Sequence, residues 1–219
     1  MKYELKAVIS GGGLGERIKE ITGSLIPKSL IKVTDKPLIS YQLEALYQNN
    51  ISGVYISFQT DWQIQIFKQF VRTGEVPKLN YIFGKHKYGH QLNLFKDKKV
   101  YQFLNNSDFI WTVGDLFYSD SLIKKLIAKG VRNNSICCTY MKGGDGFIPH
   151  TPIFFKNEVL NLIKNESKNE NPSADRLLSN ISKIKTLDTV KSVGLIDMNT
   201  IVEFNKIKKL LDHDYQTNK

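Results

Sequence analysis

Cysteine is scarce in this chain, and the scarcity excludes two classes at once. The 219 residues hold two cysteines, adjacent at Cys137 and Cys138, which cannot staple distant segments and leave no second pair to hold zinc. Buried thiols in a reducing compartment are the expectation. Long hydrophobic runs are absent too: no stretch approaches the roughly 18–20 apolar residues that a membrane-crossing helix needs. The opening MKYELKAVIS meets Glu4 and then a turn, which does not fit a signal peptide. The expected location is the cytoplasm, with no membrane partner.

Negative charge is also in short supply, with 31 Lys and Arg against 21 Asp and Glu and a net charge of +10. Such a surplus suits nucleic acid, an anionic membrane surface or phosphorylated small molecules. The lysines are nonetheless spread along the chain, in pairs such as Lys98-Lys99, Lys124-Lys125 and Lys208-Lys209. No block of five like charges occurs and no basic segment is interleaved with aromatics, so a solvated surface is expected and nucleic acid is not. Histidine is rare as well: His86, His90, His150 and His213 show no H-x-x-x-H or H-x-H spacing and read as surface or loop residues rather than metal ligands.

What is present is an alternation of two periods. Residues 5–10 (LKAVIS), 53–58 (GVYISF), 79–83 (LNYIF), 108–113 (DFIWTV), 135–140 (SICCTY) and 151–155 (TPIFF) read as buried strands. Between them, residues 37–50 place Leu38, Tyr41, Leu43, Leu46 and Tyr47 near one helical face, and residues 61–74 do the same with Trp62, Ile66, Phe67 and Phe70 before stopping at Gly74. Residues 119–130 open on a Ser/Asp cap and close on Gly130, and residues 199–214 form a final amphipathic helix. The polar stretch 165–173 (NESKNENPS) reads as a surface loop between helices. Strand-then-helix repetition predicts an α/β fold, a three-layer domain with a mostly parallel sheet covered on both faces. With 41% hydrophobic residues, one domain over 1–219 can bury its own core. Ligands of such sheets gather at the carboxyl ends of strands, which singles out residues 10–17, 114–118 and 194–199.

The first of these places is GGGLGERI, residues 11–18. It is not a Walker A loop, because no glycine is followed by Lys and Ser/Thr at the required spacing, and it is not G-x-G-x-x-G, because the third glycine falls on Glu16 or Ile18. A glycine-rich turn after a buried strand still lets backbone N–H groups approach a phosphate or a flat base. Arg17 adds a fork of donors suited to phosphate oxygens, and Lys28 adds a compact positive charge behind Pro27.

Residues 11–18 together with PKSLIKVTDKPLISYQLEAL (27–46) resemble the signature of the nucleotidyltransferases that make nucleotide sugars and related activated metabolites. The likeness extends to WTVGDLFYS (111–119) and GLIDMNTIVEF (194–204). The resemblance implies a Rossmann-like, GT-A-like nucleotidyltransferase fold, with residues 1–118 as the nucleotide-binding part and 119–219 as the acceptor-binding and C-terminal part. It implies an enzyme of the EC 2.7.7 type that transfers NMP from an NTP, CTP or GTP favoured, to a phosphorylated sugar or small metabolite. Arg17 and Lys28 would then handle the phosphates, Gly11, Gly12, Gly13, Leu14, Gly15 and Gly89 would bind the nucleotide, and Asp115 and Asp197 would hold Mg²⁺. The chemistry asks for little else: an acceptor phosphate is already ionised at neutral pH, so in-line positioning and charge neutralisation replace a general base.

Departures from the family pattern cluster on the acceptor side. A lysine in a V-E-K-P-like segment has no clear counterpart, and Lys142 is the candidate substitute. The family's G-T-a turn corresponds loosely to Gly89-His90-Gln91, and no helical or β-helical extension follows residue 219, as in the family's short members. Two other readings remain open. One is a catalytically inactive nucleotide- or nucleic-acid-binding regulator on the same fold. The other, a sugar-transferring GT-A enzyme, wants an Asp-x-Asp after a central strand, and the triplet present, Asp212-His213-Asp214, lies in the terminal helix. A homo-oligomer is left open.

Overall fold

The computed structural model describes residues 4–13, 15–23, 26–51, 53–86, 91–143, 146–191 and 195–217. Its strands are β1 (Leu5–Ser10), β2 (Gly53–Phe58), β3 (Asn80–Lys85), β4 (Asp108–Val113), β5 (Leu116–Phe117), β6 (Ile136–Gly143), β7 (Gly146–Phe155), β8 (Leu187–Lys191) and β9 (Ile196–Asp197). Its helices are α1 (Lys19–Thr22), α2 (Leu38–Gln48), α3 (Asp61–Thr73), α4 (Lys98–Leu104), α5 (Asp120–Arg132), α6 (Leu160–Lys168), α7 (Ala174–Ser182) and α8 (Ile201–Thr217).

Seven strands form one sheet in the order β3-β2-β1-β4-β7-β6-β8, and β5 pairs with β9 in a separate two-stranded ladder. β1 is parallel to both β2 and β4, β2 is parallel to β3, and β7 runs antiparallel to β4 and β6. The sheet is mixed and mostly parallel, as expected, and the chain order turns about between β1 and β4. The pleat divides the core. Ala7 and Ile9 of β1 join a cluster with α2, α3 and α5, whereas Val8 points to the other face with residues of α4, α6 and α7. Both faces are therefore covered, which is why these strands read as continuous apolar runs rather than alternating ones. A third cluster under the glycine loop joins Ile18, Ile31 and Leu38 to Ile196, Met198 and Ile207 of the β9–α8 region.

Several local expectations need correction. α5 does not close at Gly130 but runs on to Arg132, and Gly130 is a packing residue: a Cβ there would lie 2.3 Å from the Phe154 ring. Residues 165–168 belong to α6, so the loop between α6 and α7 is shorter than predicted. Tyr47 and Trp62 are not inward-facing; they are 59% and 50% exposed, and Gln42 and Gln63 are buried on the same helices. β8, the β5–β9 ladder, α4 and the full length of the β6–β7 pair were not anticipated. Cys137 and Cys138 are buried free thiols, and burial pushes them up to about 12 and about 11. Among the described residues no helix is long and apolar enough to cross a membrane.

Candidate active site

The carboxyl ends of β1 and β4 lie side by side, with Ser10 paired to Val113 and the Gly114 N–H donating to the Ser10 carbonyl at 2.8 Å. The glycine loop and the Gly114-Asp115 turn thus leave the sheet together at the point where strand order reverses. The Gly11 N–H donates to the Ser57 carbonyl at 2.8 Å, anchoring the loop to β2. Gly12 lies so close to the next wall that a Cβ would meet Gln59 Cγ at 2.9 Å and its backbone nitrogen at 3.1 Å. Gly15 takes φ +68°, a left-handed conformation that side chains resist, and starts the short 3-10 turn carrying Arg17.

The Pro-Lys pair belongs to the same loop in space. The Lys28 N–H donates to the Gly13 carbonyl at 2.9 Å and the Ser29 hydroxyl to the Gly11 carbonyl at 2.7 Å, so a short 3-10 turn over Lys28–Leu30 is stapled beneath the glycines. From it Lys28 Nζ reaches Asn199 Oδ1 at 2.8 Å and pairs with the Asp115 carboxylate. Buried Gln42 of α2 braces that carboxylate's turn, its amide donating to the carbonyls of Val113 at 3.1 Å and Leu116 at 2.5 Å.

Asp115 and Asp197, far apart in sequence, are brought together by the β5–β9 ladder. Leu116 pairs with Asp197, and the Met198 N–H donates to the Asp115 carbonyl at 2.9 Å. Burial and then the charge of Asp115 hold the Asp197 carboxyl above the usual range, against the opposing pull of Lys28, Asn199 and His150. Among the described residues Asp197 Oδ1 is buried without a hydrogen-bond partner, and Oδ2 lies 3.9 Å from His150 Nε2. A buried carboxylate oxygen with no donor, beside a second carboxylate, fits a divalent cation. Among the described residues no cluster of three or more His, Cys, Asp or Glu occurs. Two carboxylates with water and phosphate oxygens completing the shell is the arrangement Mg²⁺ favours.

A cleft of about 460 Å³ joins these parts. Toward its neutral, polar end Gln59 and His86 stand against Gly12 and the Ser10 hydroxyl donates to the Gln91 carbonyl; toward its charged end Lys28 stands against Gly13 and pairs with Asp115, and Arg17 also lines the cleft. His86 follows β3. Its N–H donates to the Phe58 carbonyl at 3.0 Å, its Nδ1 is 2.7 Å from Ser57 Oγ, and burial holds its pKa below the ordinary value.

The structure therefore gathers Gly11, Gly12, Gly13, Gly15, Arg17, Lys28 and Asp115 around one cleft, with Asp197 beside Asp115. Leu14 and Gly89 lie outside the described residues, as does the side chain of Lys142, whose backbone runs in β6. Of the histidines expected on the surface or in loops, His86 does follow β3 in a loop but lines the cleft, and His150 stands in β7 with Nε2 3.9 Å from Asp197 Oδ2. Asn199, Gln42, Ser57 and Gln59 were also missed. The available signal was the strand-end rule, which marks the ends of β2 and β3 as much as those of β1 and β4.

Comparison with known proteins follows this geometry. A family model described as nucleotidyl transferase matches residues 6–143. Choline-phosphate cytidylyltransferase of Streptococcus pneumoniae is 33% identical over 124 residues, 57% of this chain and 41% of that protein. D-glycero-alpha-D-manno-heptose 1-phosphate guanylyltransferase of Campylobacter jejuni is 26% identical over 144 residues, 65% of this chain and 60% of that protein. The matched segments thus span about two-fifths and three-fifths of these relatives' own lengths. A solved apo UDP-glucose pyrophosphorylase superposes with a TM-score of 0.78 at 13% identity, covering 97% of this chain and 99% of that one. A putative glucose-1-phosphate thymidylyltransferase from Bacillus anthracis gives 0.74 at 16% identity, covering 94% of each chain.

Proposed function

We propose that this chain, which belongs to the nucleotidyl transferase family, transfers a nucleoside monophosphate from an NTP to a phosphorylated sugar or other small phosphorylated metabolite. The observation that carries the reading is the cleft itself. Glycine backbone, Arg17 and Lys28 converge at the carboxyl ends of β1 and β4, beside the Asp115 and Asp197 carboxylates that the β5–β9 ladder brings together.

In this reading the triphosphate lies toward Arg17 and Lys28, and the base toward the neutral end. An oxygen of the acceptor phosphate attacks the α-phosphorus; the new P–O bond forms as the bond to the β-phosphate oxygen breaks, and pyrophosphate leaves with the electron pair. The attacking oxygen is already ionised, so no side chain need remove a proton. Arg17 and Lys28 stabilise the charge that gathers on the transferring and departing phosphates. Asp115 and Asp197 would hold Mg²⁺, which supplies Lewis-acid neutralisation of phosphate oxygens. Lys142 is the proposed contact for the acceptor phosphate. CTP or GTP is the favoured donor, in keeping with the cytidylyl- and guanylyltransferase named above. The compartment is the cytoplasm, where the thiols of Cys137 and Cys138 stay reduced.

The test is pyrophosphate release with each of four NTPs against a panel of phosphorylated alcohols and sugar 1-phosphates, with Mg²⁺. Release that requires both substrates supports transfer. NTP binding without release from any pair would favour the inactive, nucleotide-binding regulator instead.

A further inference from the structure

We propose that His86 selects the nucleobase by offering an Nε2–H donor to an exocyclic carbonyl, so that the cleft takes cytosine, guanine or uracil in preference to adenine. The proposal rests on the reading of the cleft as an NTP site.

The tautomer follows from Ser57. This serine is fully buried at the end of β2, and among the described residues its hydroxyl meets one partner, His86 Nδ1, at 2.7 Å. A buried hydroxyl proton needs an acceptor, and a ring nitrogen that accepts cannot also carry hydrogen. Ser57 therefore donates to Nδ1, and the proton of the neutral ring sits on Nε2. Burial lowers the histidine's pKa, which keeps the ring neutral near pH 7 and the assignment single.

The ring is held in place as well as in charge. Its backbone N–H is tied to the Phe58 carbonyl, and its Cε1 lies 3.3 Å from where a Cβ on Gly12 would stand, so the imidazole edge borders the glycine loop. Among the described residues Nε2 has no protein partner, and the ring lines the cleft. Gln59 also stands against Gly12, and Ser10 and Gln91, joined by a hydrogen bond, line the same cleft, whereas Lys28 stands against Gly13. A base placed at the neutral end meets amides that adapt by rotation and one fixed donor that does not. Cytosine O2, guanine O6 and either uracil carbonyl can accept from it. Adenine has no carbonyl: its acceptors are ring nitrogens set back from the edge where an exocyclic oxygen stands, and at that exocyclic position its amino group opposite Nε2–H would leave two donors facing each other, one of them unpaired.

The experiment is calorimetric binding of CTP, GTP, UTP, ATP and inorganic tripolyphosphate, with Mg²⁺, to the parent chain and to H86F, H86Q and S57A. H86F keeps a flat ring and removes the donor. It is expected to weaken the carbonyl-bearing nucleotides by about 2- to 12-fold, the worth of one hydrogen bond, and to leave ATP and tripolyphosphate unchanged. H86Q restores an N–H donor and is expected to regain part of the discrimination, and S57A, which frees the tautomer, to lose part of it. Equal weakening of all five ligands by H86F, or no weakening of any, overturns the proposal while leaving the NTP site standing. Should H86F fail to fold, H86Q and S57A decide, and equal effects on ATP and the carbonyl nucleotides overturn it. If the folded parent binds no NTP, the site reading fails and takes this inference with it.

Discussion

Lys28→Met sets two consequences of one ion pair against each other. In the structure Lys28 Nζ pairs with the Asp115 carboxylate and donates to Asn199 Oδ1 at 2.8 Å, and its charge also draws the Asp197 carboxyl downward. The lysine therefore occupies the carboxylate that the proposed metal needs. Before nucleotide arrives, an incoming cation must displace Lys28 from Asp115; once phosphates are bound, the lysine has a better partner and the competition ends. Removing the charge with an unbranched side chain of similar length abolishes the competition and leaves two carboxylates that repel each other.

The magnitude lies between two limits. The side chains of Lys28 and Asp115 are 12% and 21% exposed, so the pair is neither a solvated surface contact, worth about 0.2–1 kcal/mol, nor a fully desolvated one whose disruption costs about 3–5 kcal/mol. An intermediate value of about 1–3 kcal/mol corresponds to roughly 5- to 150-fold in an equilibrium constant. Titration calorimetry with Mg²⁺ and no nucleotide should thus show Lys28→Met binding the metal tighter than the parent by that factor. Pyrophosphate release should fall by about 10²–10³, the usual loss when one electrostatic stabiliser of the transition state is removed. A folded Lys28→Met protein that binds Mg²⁺ no better than the parent would refute the competition. Retention of parental turnover would remove Lys28 from the reaction.

Other substitutions test the remaining parts. Asp197→Asn should abolish metal-dependent turnover yet stabilise the metal-free protein. The folded carboxyl is raised above its ordinary value of 3.8, so its ionisation costs stability as pH rises through that region and beyond; the gain should be present at pH 7, vanish below about pH 3.8, and appear as about 2–4 °C in Tm per kcal/mol relieved. Gly13→Val should eliminate NTP binding by calorimetry with little change in Tm, because among the described residues a Cβ there meets only Lys28 Cε, 3.7 Å away. Gly12→Ala should lower Tm as well, since its Cβ collides with Gln59, and retention of the parental Tm would show that this wall yields. Gly130→Ala, remote from the cleft, should cost about 1–3 kcal/mol in chemical denaturation by overpacking against Phe154, with NTP affinity unchanged in the folded fraction.

The strands that position the cleft were legible because burial on both faces turns them into unbroken apolar runs: residues 5–10, 53–58 and 108–113 are β1, β2 and β4 at their predicted bounds. The helix faces were less so. Hydropathy counts Tyr47 and Trp62 as inward and Gln42 and Gln63 as outward, and the structure has each the other way. The reason is hydrogen bonding. Gln42 answers the carbonyls of Val113 and Leu116, and Gln63 Oε1 accepts from the Gln59 N–H at 2.8 Å, backbone groups left over where β4 and β2 stop. A periodicity sum cannot register that demand, because the orphan groups belong to other segments. β8 escaped for a related reason: LDTVK is polar and only partly buried at the sheet's edge.

The site divides along the same line between local and distant signals. The glycine loop, Arg17, Lys28 and Asp115 lie within or beside contiguous motifs, so the strand-end rule and the resemblance to the family signature exposed them. Asp197 was reachable through the likeness of residues 194–204 to the family pattern, not through periodicity, because the ladder that brings it to Asp115 is two residues long on each strand, too short for any period to show. His86 had no motif at all. Its placement depends on three strand ends at once: β3 delivers the ring, β2 supplies the Ser57 hydroxyl that sets its tautomer, and the loop after β1 keeps Gly12 bare enough for the imidazole to approach. Parallel strands in register end on the same side of a sheet, so polar residues at successive ends form a set even when tens of residues separate them. Ser10 ends β1, Ser57 is the last residue but one of β2 and His86 stands just past β3, and that alignment, rather than any local spacing, makes a scattered histidine part of the cleft.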